Sequence, residues 1–387
     1  MDSVDGGPVP QNVGNGYRPR RLLLQWHLTN RCNLRCAHCY QESYRDDREL
    51  GFSEWMDILG QFRAFLADCR NHGASPRCGH VTVTGGEPWV HADFSKLLET
   101  LAAQREWLSF GILTNGTLID AGIAGYLRRL GVSFVQVSIE GSSGTHDRIR
   151  GAGSYRRATA GIQCLVVAGV RTVLSFTAHR GNFRDFREVT QLGERLGVSQ
   201  VWADRLVPQG SGAEMWEQVL TPEETLWFLE SMREARDSVG KTPACRTRVT
   251  MHRALQFLVG GGSPYQCTAG DSLVTVMPNG DLLPCRRMPV TVGNLLQTPL
   301  RDLYADPFFM GLRDQSRVST GCLGCLYARL CRGGLRCLSY ALTGNPFGKD
   351  PGCWYVFPRG NDHGKQPSRP ITRDSGPKHP HAEKQAR

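Results

Sequence analysis

The sequence lacks any apolar run near the ~18 residues a membrane helix needs, which excludes a helical membrane protein. Its opening stretch, MDSVDGGPVPQNVGNGYRPRR, lacks an apolar h-region, so no secretory signal is legible. No internal repeat stands out. The chain also lacks an acidic excess: 46 Lys and Arg face 36 Asp and Glu, a formal charge of +10. Such a charge invites a nucleic-acid reading. The cations are dispersed, however, and part of them lie in the tail after Arg359, so an acidic peptide partner or plain solubility is the better explanation. What is not scarce is cysteine, with 14 in 387 residues. In a secreted chain that count would imply disulfides; clustered C-x2-C spacings in an intracellular chain imply metal. The sequence therefore reads as cytoplasmic and oxygen-sensitive. With 40% hydrophobic residues it can bury a large core, in two domains.

The cysteines begin in LTNRCNLRCAHCY, where Cys32, Cys36 and Cys39 stand at C-x3-C-x2-C spacing. The loop follows an apolar run, Leu22 to Leu28, that reads as a strand. Three thiolates so close in a polar loop can hold three irons of a cubane cluster. No fourth cysteine lies within the loop, so one iron would be open to a small molecule. A zinc loop or chance clustering is the bland alternative.

This spacing after a first strand resembles the radical SAM enzymes. The resemblance implies that S-adenosylmethionine chelates the open iron of a [4Fe–4S] cluster. It is then cleaved to methionine and a 5′-deoxyadenosyl radical that abstracts a substrate hydrogen. The cofactor carries that chemistry; the protein binds and orients.

The rest of the chain supplies a frame. Strand-like runs are Leu22–Leu28, His80–Thr84, Ser109–Thr114, Phe134–Ile139, Arg171–Ala178 and Gln200–Leu206. Helix-like stretches fall between them at Glu54–Cys69, Asp93–Ala103, Ile119–Leu130, Tyr155–Ala168 and Phe186–Leu196. The alternation predicts an α/β chain with a parallel sheet and right-handed crossovers. It resembles the partial (β/α)6 TIM-like barrel of radical SAM proteins, followed here by a small cysteine-rich α+β region. Thr221, Pro222 and Glu224 form a helix start with a capping box, and the helix is expected to end at Gly240. The expected divisions are a disordered tail over 1–20, the barrel over 21–220, a bridging helix over 221–244, the cysteine-rich domain over 245–357, and a disordered basic tail over 358–387. His363, His379 and His381 in that tail read as solvated rather than metal-binding.

Sites of this architecture lie at the C-terminal strand ends. After the second strand comes Gly85-Gly86-Glu87-Pro88. Paired glycines let a backbone approach a ligand closely, and the carboxylate can pair with an ammonium. The stretch resembles the family's GGEP motif, which implies contact with the methionine amino group of SAM. Thr114-Asn115-Gly116-Thr117 resembles the family's TNGT. Ser138-Ile139-Glu140-Gly141 resembles SxDG with Glu140 replacing Asp, which puts close carry-over there in doubt. Ser138 is the expected ribose or carboxylate contact. His146-Asp147 and Arg150-Gly151 continue the pattern. The resemblance places His38 beside the adenine and Tyr40 near the same site. Arg205, closing the sixth strand, could meet cofactor, substrate or a neighbouring carboxylate. No catalytic residue is legible.

Downstream, Cys267-x12-Gly280-x4-Cys285 is followed by Cys322-x2-Cys325-x5-Cys331, Cys337 and Cys353. Pro278-Asn279-Gly280-Asp281 reads as a hairpin turn with Cys285 on the returning strand. Over roughly 267–355 this resembles the SPASM extension, which holds two auxiliary iron–sulfur clusters. The resemblance assigns Cys322, Cys325, Cys331 and Cys353 to a far cluster and Cys267, Cys285 and Cys337 to a near one. Two departures matter. Leu335 stands where the family usually has the cysteine, and Cys337 comes two residues later. TAGDSL, residues 268–273, lacks the extra ligand some members add, so the near cluster has an open iron, a non-cysteine ligand or a two-iron form. Cys245 is a remote candidate, and zinc is the alternative for either site. Cys69, Cys78 and Cys164 fall outside all motifs and read as inert buried thiols.

The family resemblance points to hydrogen abstraction from a ribosomally made peptide. Arg286 stands where sulfatase-maturing members usually have Asp, which argues against that activity. The alternative is cofactor synthesis, of haem or quinone type, since ALTGNPFGKDPGC resembles those pathways' enzymes. A flavodoxin- or ferredoxin-type electron donor is implied. A separate leader-binding protein is expected too, because only about 20 residues precede the first strand. No nucleic acid or membrane partner is expected.

Overall fold

The computed structural model describes residues 17–45, 48–75, 77–239 and 247–355. Cys245, the tail histidines and nearly all of both expected tails lie outside them. A compact unit runs to Trp354. Its first half alternates strand and helix: β1 (Leu22–His27), α1 (Phe52–Asn71), β2 (Gly79–Thr84), α2 (Phe94–Ala103), β3 (Leu108–Thr114), α3 (Ala121–Leu130), β4 (Phe134–Ser138), α4 (Ser143–Arg150), α5 (Ser154–Val167), β5 (Thr172–Ala178), α6 (Phe186–Leu196) and β6 (Gln200–Arg205). The six strands lie in sequence order, all parallel, as a partial (β/α)6 barrel.

Local chemistry explains the boundaries. The α3 helix starts where the Asp120 side chain accepts from Ile123 N and stops at Gly131, whose φ of +71° suits glycine. Apolar residues cover both faces of the sheet, as a parallel sheet under helices requires. Leu24, Trp26, Val81, Ile112, Val137 and Leu174 are fully buried in one core.

The structure adds three things to the expected frame. The α4 helix was not anticipated: its residues are polar, and only the Ser142 hydroxyl, accepting from Thr145 N, announces it. After α7 (Pro222–Ser238), a short β7 (Arg248–Thr250) adds to β6 in parallel. The Thr221 cap and its box with Glu224 are formed, and α7 stops two residues before Gly240. Beyond α8 (Phe257–Gly260), the cysteine-rich region forms β8 (Leu273–Val276), β9 (Asp281–Leu283) and β10 (Gly293–Asn294). The β8 strand pairs in parallel with β1, so one ten-stranded sheet runs β10-β9-β8-β1-β2-β3-β4-β5-β6-β7. The hairpin turn is where the sequence puts it, but β9 ends at Leu283. Cys285 thus lies just past the strand, bridged to Met288. Four short helices finish the unit: α9 (Leu300–Leu303), α10 (Pro307–Arg313), α11 (Ala328–Cys331) and α12 (Arg336–Thr343).

Candidate functional site

The three-cysteine loop leaves β1 and is laced to the loop after β2. Gly86 N donates to Thr29 O at 2.7 Å and Glu87 N to Arg31 O at 2.9 Å. A Cβ on Gly85 or Gly86 would overlap the Thr29 and Arg31 carbonyls, and Gly85 has φ +150°. Both glycines are therefore required by close approach of the two loops. Pro88 opens a single 3-10 turn, Pro88–Val90. The segment Gly210–Gln218 covers the other side, with Gly212 N donating to Cys39 O at 2.7 Å. Beside it, a cavity of about 480 Å³ is lined by Arg35, Cys36, Ala37, Tyr44, Ser211, Glu214 and Met215.

Glu87 is fully buried. Its carboxylate accepts from Thr114 Oγ1 and Asn115 N, both at 2.8 Å, and more weakly from Trp89 N. Burial outweighs these neutral donors and pushes its pKa up to about 7. Such a group gains most from a cationic partner, as the GGEP resemblance implies. Asn115 then reaches the cysteine loop: its Nδ2 donates to Asn33 Oδ1 at 2.8 Å, and Asn33 Nδ2 donates to Thr117 Oγ1 at 2.9 Å. The end of β3 is thus clamped onto the loop between Cys32 and Cys36. Ser138, at the end of β4, is half-buried, and its hydroxyl accepts a long bond from Ser175.

Glu140, the departure from SxDG, is fully buried and committed. Arg150 donates to its Oε1 from Nε and Nη2, at 3.1 and 2.5 Å; His38 Nε2 stands 3.2 Å from the same oxygen; and Thr177 N donates to Oε2. Burial alone would raise this carboxyl, but the Arg150 charge and His38 overcome it and hold the carboxyl well below its ordinary value. Arg150 also donates from Nη1 to Cys36 Sγ at 3.7 Å. The longer side chain of Glu140 thereby ties β4 to the cysteine loop.

Two expected cofactor residues have partners within the protein. Arg205 donates to both oxygens of Asp350, at 2.9 and 2.6 Å, inside the protein. Of the three partners considered, the neighbouring carboxylate has won: a buried guanidinium pairs with the acid that arrives from the cysteine-rich region. Tyr40 packs edge-on to His27, with Arg286 over its ring at 5.2 Å. It joins the loop to the residue after Cys285. His38 keeps its place in the loop, but its Nε2 is taken by Glu140.

The thiols fall into three sets. Cys32, Cys36 and Cys39 are near enough to repel one another as thiolates, and burial pushes Cys32 up to about 11. Cys267, Cys285 and Cys337 influence one another in the same way. Arg287 and Arg336 stand over this trio. Cys322 feels Cys325 and Cys353, while Cys331 feels Cys353 and Cys322. Burial raises Cys322 to about 11 and Cys331 to about 12. Among the described residues no group of three His, Cys, Asp or Glu side chains is drawn tightly enough for a single metal ion. The fit to clusters rests on the donor chemistry: three sets made of thiols, protonated until iron displaces the proton. Buried polar atoms without a partner lie near the strand ends: His27 Nε2, His38 Nδ1, His179 Nε2 and Arg286 Nε. No signal in the sequence singled out His27, His179 or Asp350.

Comparison with known proteins agrees with this geometry. Residues 26–192 match the radical SAM superfamily, and residues 267–326 match an iron–sulfur cluster-binding domain, SPASM. An AdoMet-dependent heme synthase of Oleidesulfovibrio alaskensis is 27% identical over 90% of each chain. A mycofactocin maturase of Mycolicibacterium smegmatis is 29% identical over 91% of this chain and 88% of its own. Among solved structures, anSMEcpe with bound AdoMet superposes with a TM-score of 0.69 at 18% identity, covering 86% of this chain and 90% of its own. SuiB of Streptococcus suis bound to S-adenosylmethionine gives 0.67 at 17%, covering 87% and 77%. The chain is a radical SAM enzyme with a C-terminal SPASM domain. Its cofactors are S-adenosylmethionine and iron–sulfur clusters. Among the described residues no helix is long and apolar enough to cross a membrane.

Proposed function

We propose that this enzyme modifies a ribosomally made peptide by abstracting one hydrogen from it. The observation that carries the reading is similarity to a mycofactocin maturase over 91% of this chain and 88% of its own, together with this chain's union of a radical SAM and a SPASM domain. A PqqA peptide cyclase of Streptomyces rochei, 27% identical over 87% of this chain, supports it. Cys32, Cys36 and Cys39 would hold an iron–sulfur cluster, which with S-adenosylmethionine bound would supply the hydrogen-abstracting chemistry.

The chain's own residues set the stage. Gly85 and Gly86 hold the loop after β2 against the cysteine loop, where the Glu87 region would meet the cofactor's amino group. Asn115 and Asn33 fix the loop between the first two cysteines. Glu140, through His38 and Arg150, holds the segment around Cys36. Ser138 is the remaining polar contact from β4. Cys267, Cys285 and Cys337 would hold a near auxiliary cluster; Cys322, Cys325, Cys331 and Cys353 would hold a far one. The division into barrel, bridging helix and cysteine-rich domain at 21–220, 221–244 and 245–357 belongs to the same proposal. So do a cytoplasmic location, a flavodoxin- or ferredoxin-type donor, and a separate leader-binding protein.

The heme synthases, similar over the same length, favour a second reading: a tetrapyrrole precursor as substrate. Mass spectrometry decides. The anaerobic, reconstituted enzyme is offered short peptides encoded beside its gene, and separately iron-coproporphyrin. A mass change in a peptide supports the proposal. A change in the porphyrin alone overturns it.

A further inference from the structure

Buried arginines in this protein have partners. Arg150 is on Glu140, Arg205 on Asp350, Arg287 on Asp204 at 2.8 Å, and Arg313 and Arg336 on backbone carbonyls. Arg286 is the exception. It is 6% exposed, yet among the described residues no hydrogen bond or ion pair reaches its guanidinium, and its Nε is sealed without a partner. Its contact is the face of Tyr40. A buried cation without an anion is costly and is retained where something supplies the anion.

Its location says what that is for. Arg286 follows Cys285, and Tyr40 follows Cys39, so the pair spans from the SAM-cluster loop to the near thiols. The Arg286 guanidinium lies over the Tyr40 ring at 5.2 Å, and that ring packs edge-on to His27 at 6.0 Å. The guanidinium therefore faces the C-terminal end of β1. There His27, 2% exposed, has its own Nε2 without a partner. Two unsatisfied polar groups share one end of the barrel, beside the cofactor loop. A planar fork in an apolar setting suits a two-oxygen anion.

We propose that Arg286 is the seat of a substrate carboxylate, holding the substrate between the SAM-cluster loop and the near cysteines, with His27 as a second polar contact. This rests on the proposed peptide substrate, although a tetrapyrrole side-chain carboxylate has the same chemistry. Arg286 is a specificity residue; it takes no part in breaking bonds.

The test is calorimetry on the reconstituted full-length enzyme. One probe pair is N-acetyl-Gly-Phe and its C-terminal amide. The other is a porphyrin tetracarboxylic acid and its methyl ester. The wild type should prefer an acid over its neutral twin by about tenfold or more, the value of one charge-assisted contact. R286M should bring that ratio near one, and R286K should keep part of it. Because R286M also removes an unpaired buried cation, its thermal midpoint should rise; a purely structural arginine would lower it. Acid preference unchanged in R286M overturns the proposal. So does a wild type with no preference in either pair, or a loss in R286M that falls on SAM affinity instead. If only the porphyrin pair shows an Arg286-dependent preference, the seat stands and the peptide reading falls.

Discussion

Replacing Asp350 by Ala should loosen the far end of the molecule more than any other single carboxylate change. Asp350 is 2% exposed and holds four donors. Two come from Arg205, and the others are Leu335 N and Gly352 N at 2.8 and 2.9 Å. Removing the acid strands a buried guanidinium, which costs about 3–5 kcal/mol. It also leaves two backbone donors short of a partner, at roughly 1–3 kcal/mol each where water cannot replace it. Arg205→Met is milder, because Asp350 keeps its two backbone donors. The order of loss should be D350A greater than R205M, with the double variant recovering part of the D350A loss because no guanidinium is left stranded. The loss should also be local in its chemistry. Leu335 lies between Cys331 and Cys337, and Gly352 precedes Cys353. The assay is the denaturant midpoint of the full chain, with iron content and electron-paramagnetic spectra of the reconstituted protein. D350A should lose far-cluster iron and keep the SAM-cluster signal. Wild-type stability and full iron in D350A would refute the reasoning.

Further outcomes follow from the site. Glu87 is raised from 4.5 to about 7 by burial, so the folded chain holds a proton there that the unfolded chain releases earlier. The acid's burial is free of charge penalty below about pH 4.5, costs more as pH rises to about 7, and is constant above. The wild-type-minus-E87Q stability difference should fall by on the order of 3 kcal/mol across that window, at ~1.4 per pH unit, because the glutamine does not titrate. A pH-independent difference would contradict the shift. Changing Cys32, Cys36 and Cys39 together to Ala should abolish 5′-deoxyadenosine release under dithionite while the auxiliary signals persist; undiminished release would remove the assignment. Full reconstitution should load on the order of eight to twelve irons per chain, and zinc with about four irons would sink the auxiliary sites. A cysteine-bearing peptide should shift the near cluster's paramagnetic signal alone, and a serine analogue should not.

The sequence-legible part was whatever repeats locally. Strand and helix alternate with hydrophobic period, and all six barrel strands match their sequence ranges within a residue or two. The three cysteine sets were legible from spacing and resemblance. Pairing across distance was not. Nothing in Leu273–Val276 says that it joins Leu23–Trp26, and β7 is three residues long. The α4 helix has no apolar stripe to betray it. Long side chains were the least legible. Arg205 and Glu140 both sit at strand ends, where a cofactor contact is expected. Which acid or base meets them depends on segments up to 145 residues away.

The parallel pairing of β8 with β1 has a consequence for synthesis on the ribosome. Leu23 meets Leu273, 250 positions later in the chain. At about 5–20 residues per second, β1 waits roughly 12–50 s with one edge open. The cysteine loop hangs from that strand throughout. Iron delivery to Cys32, Cys36 and Cys39 can thus begin on a nascent chain whose auxiliary thiols do not yet exist. An edge left open that long is also where a chaperone, or a second nascent chain, finds its first purchase.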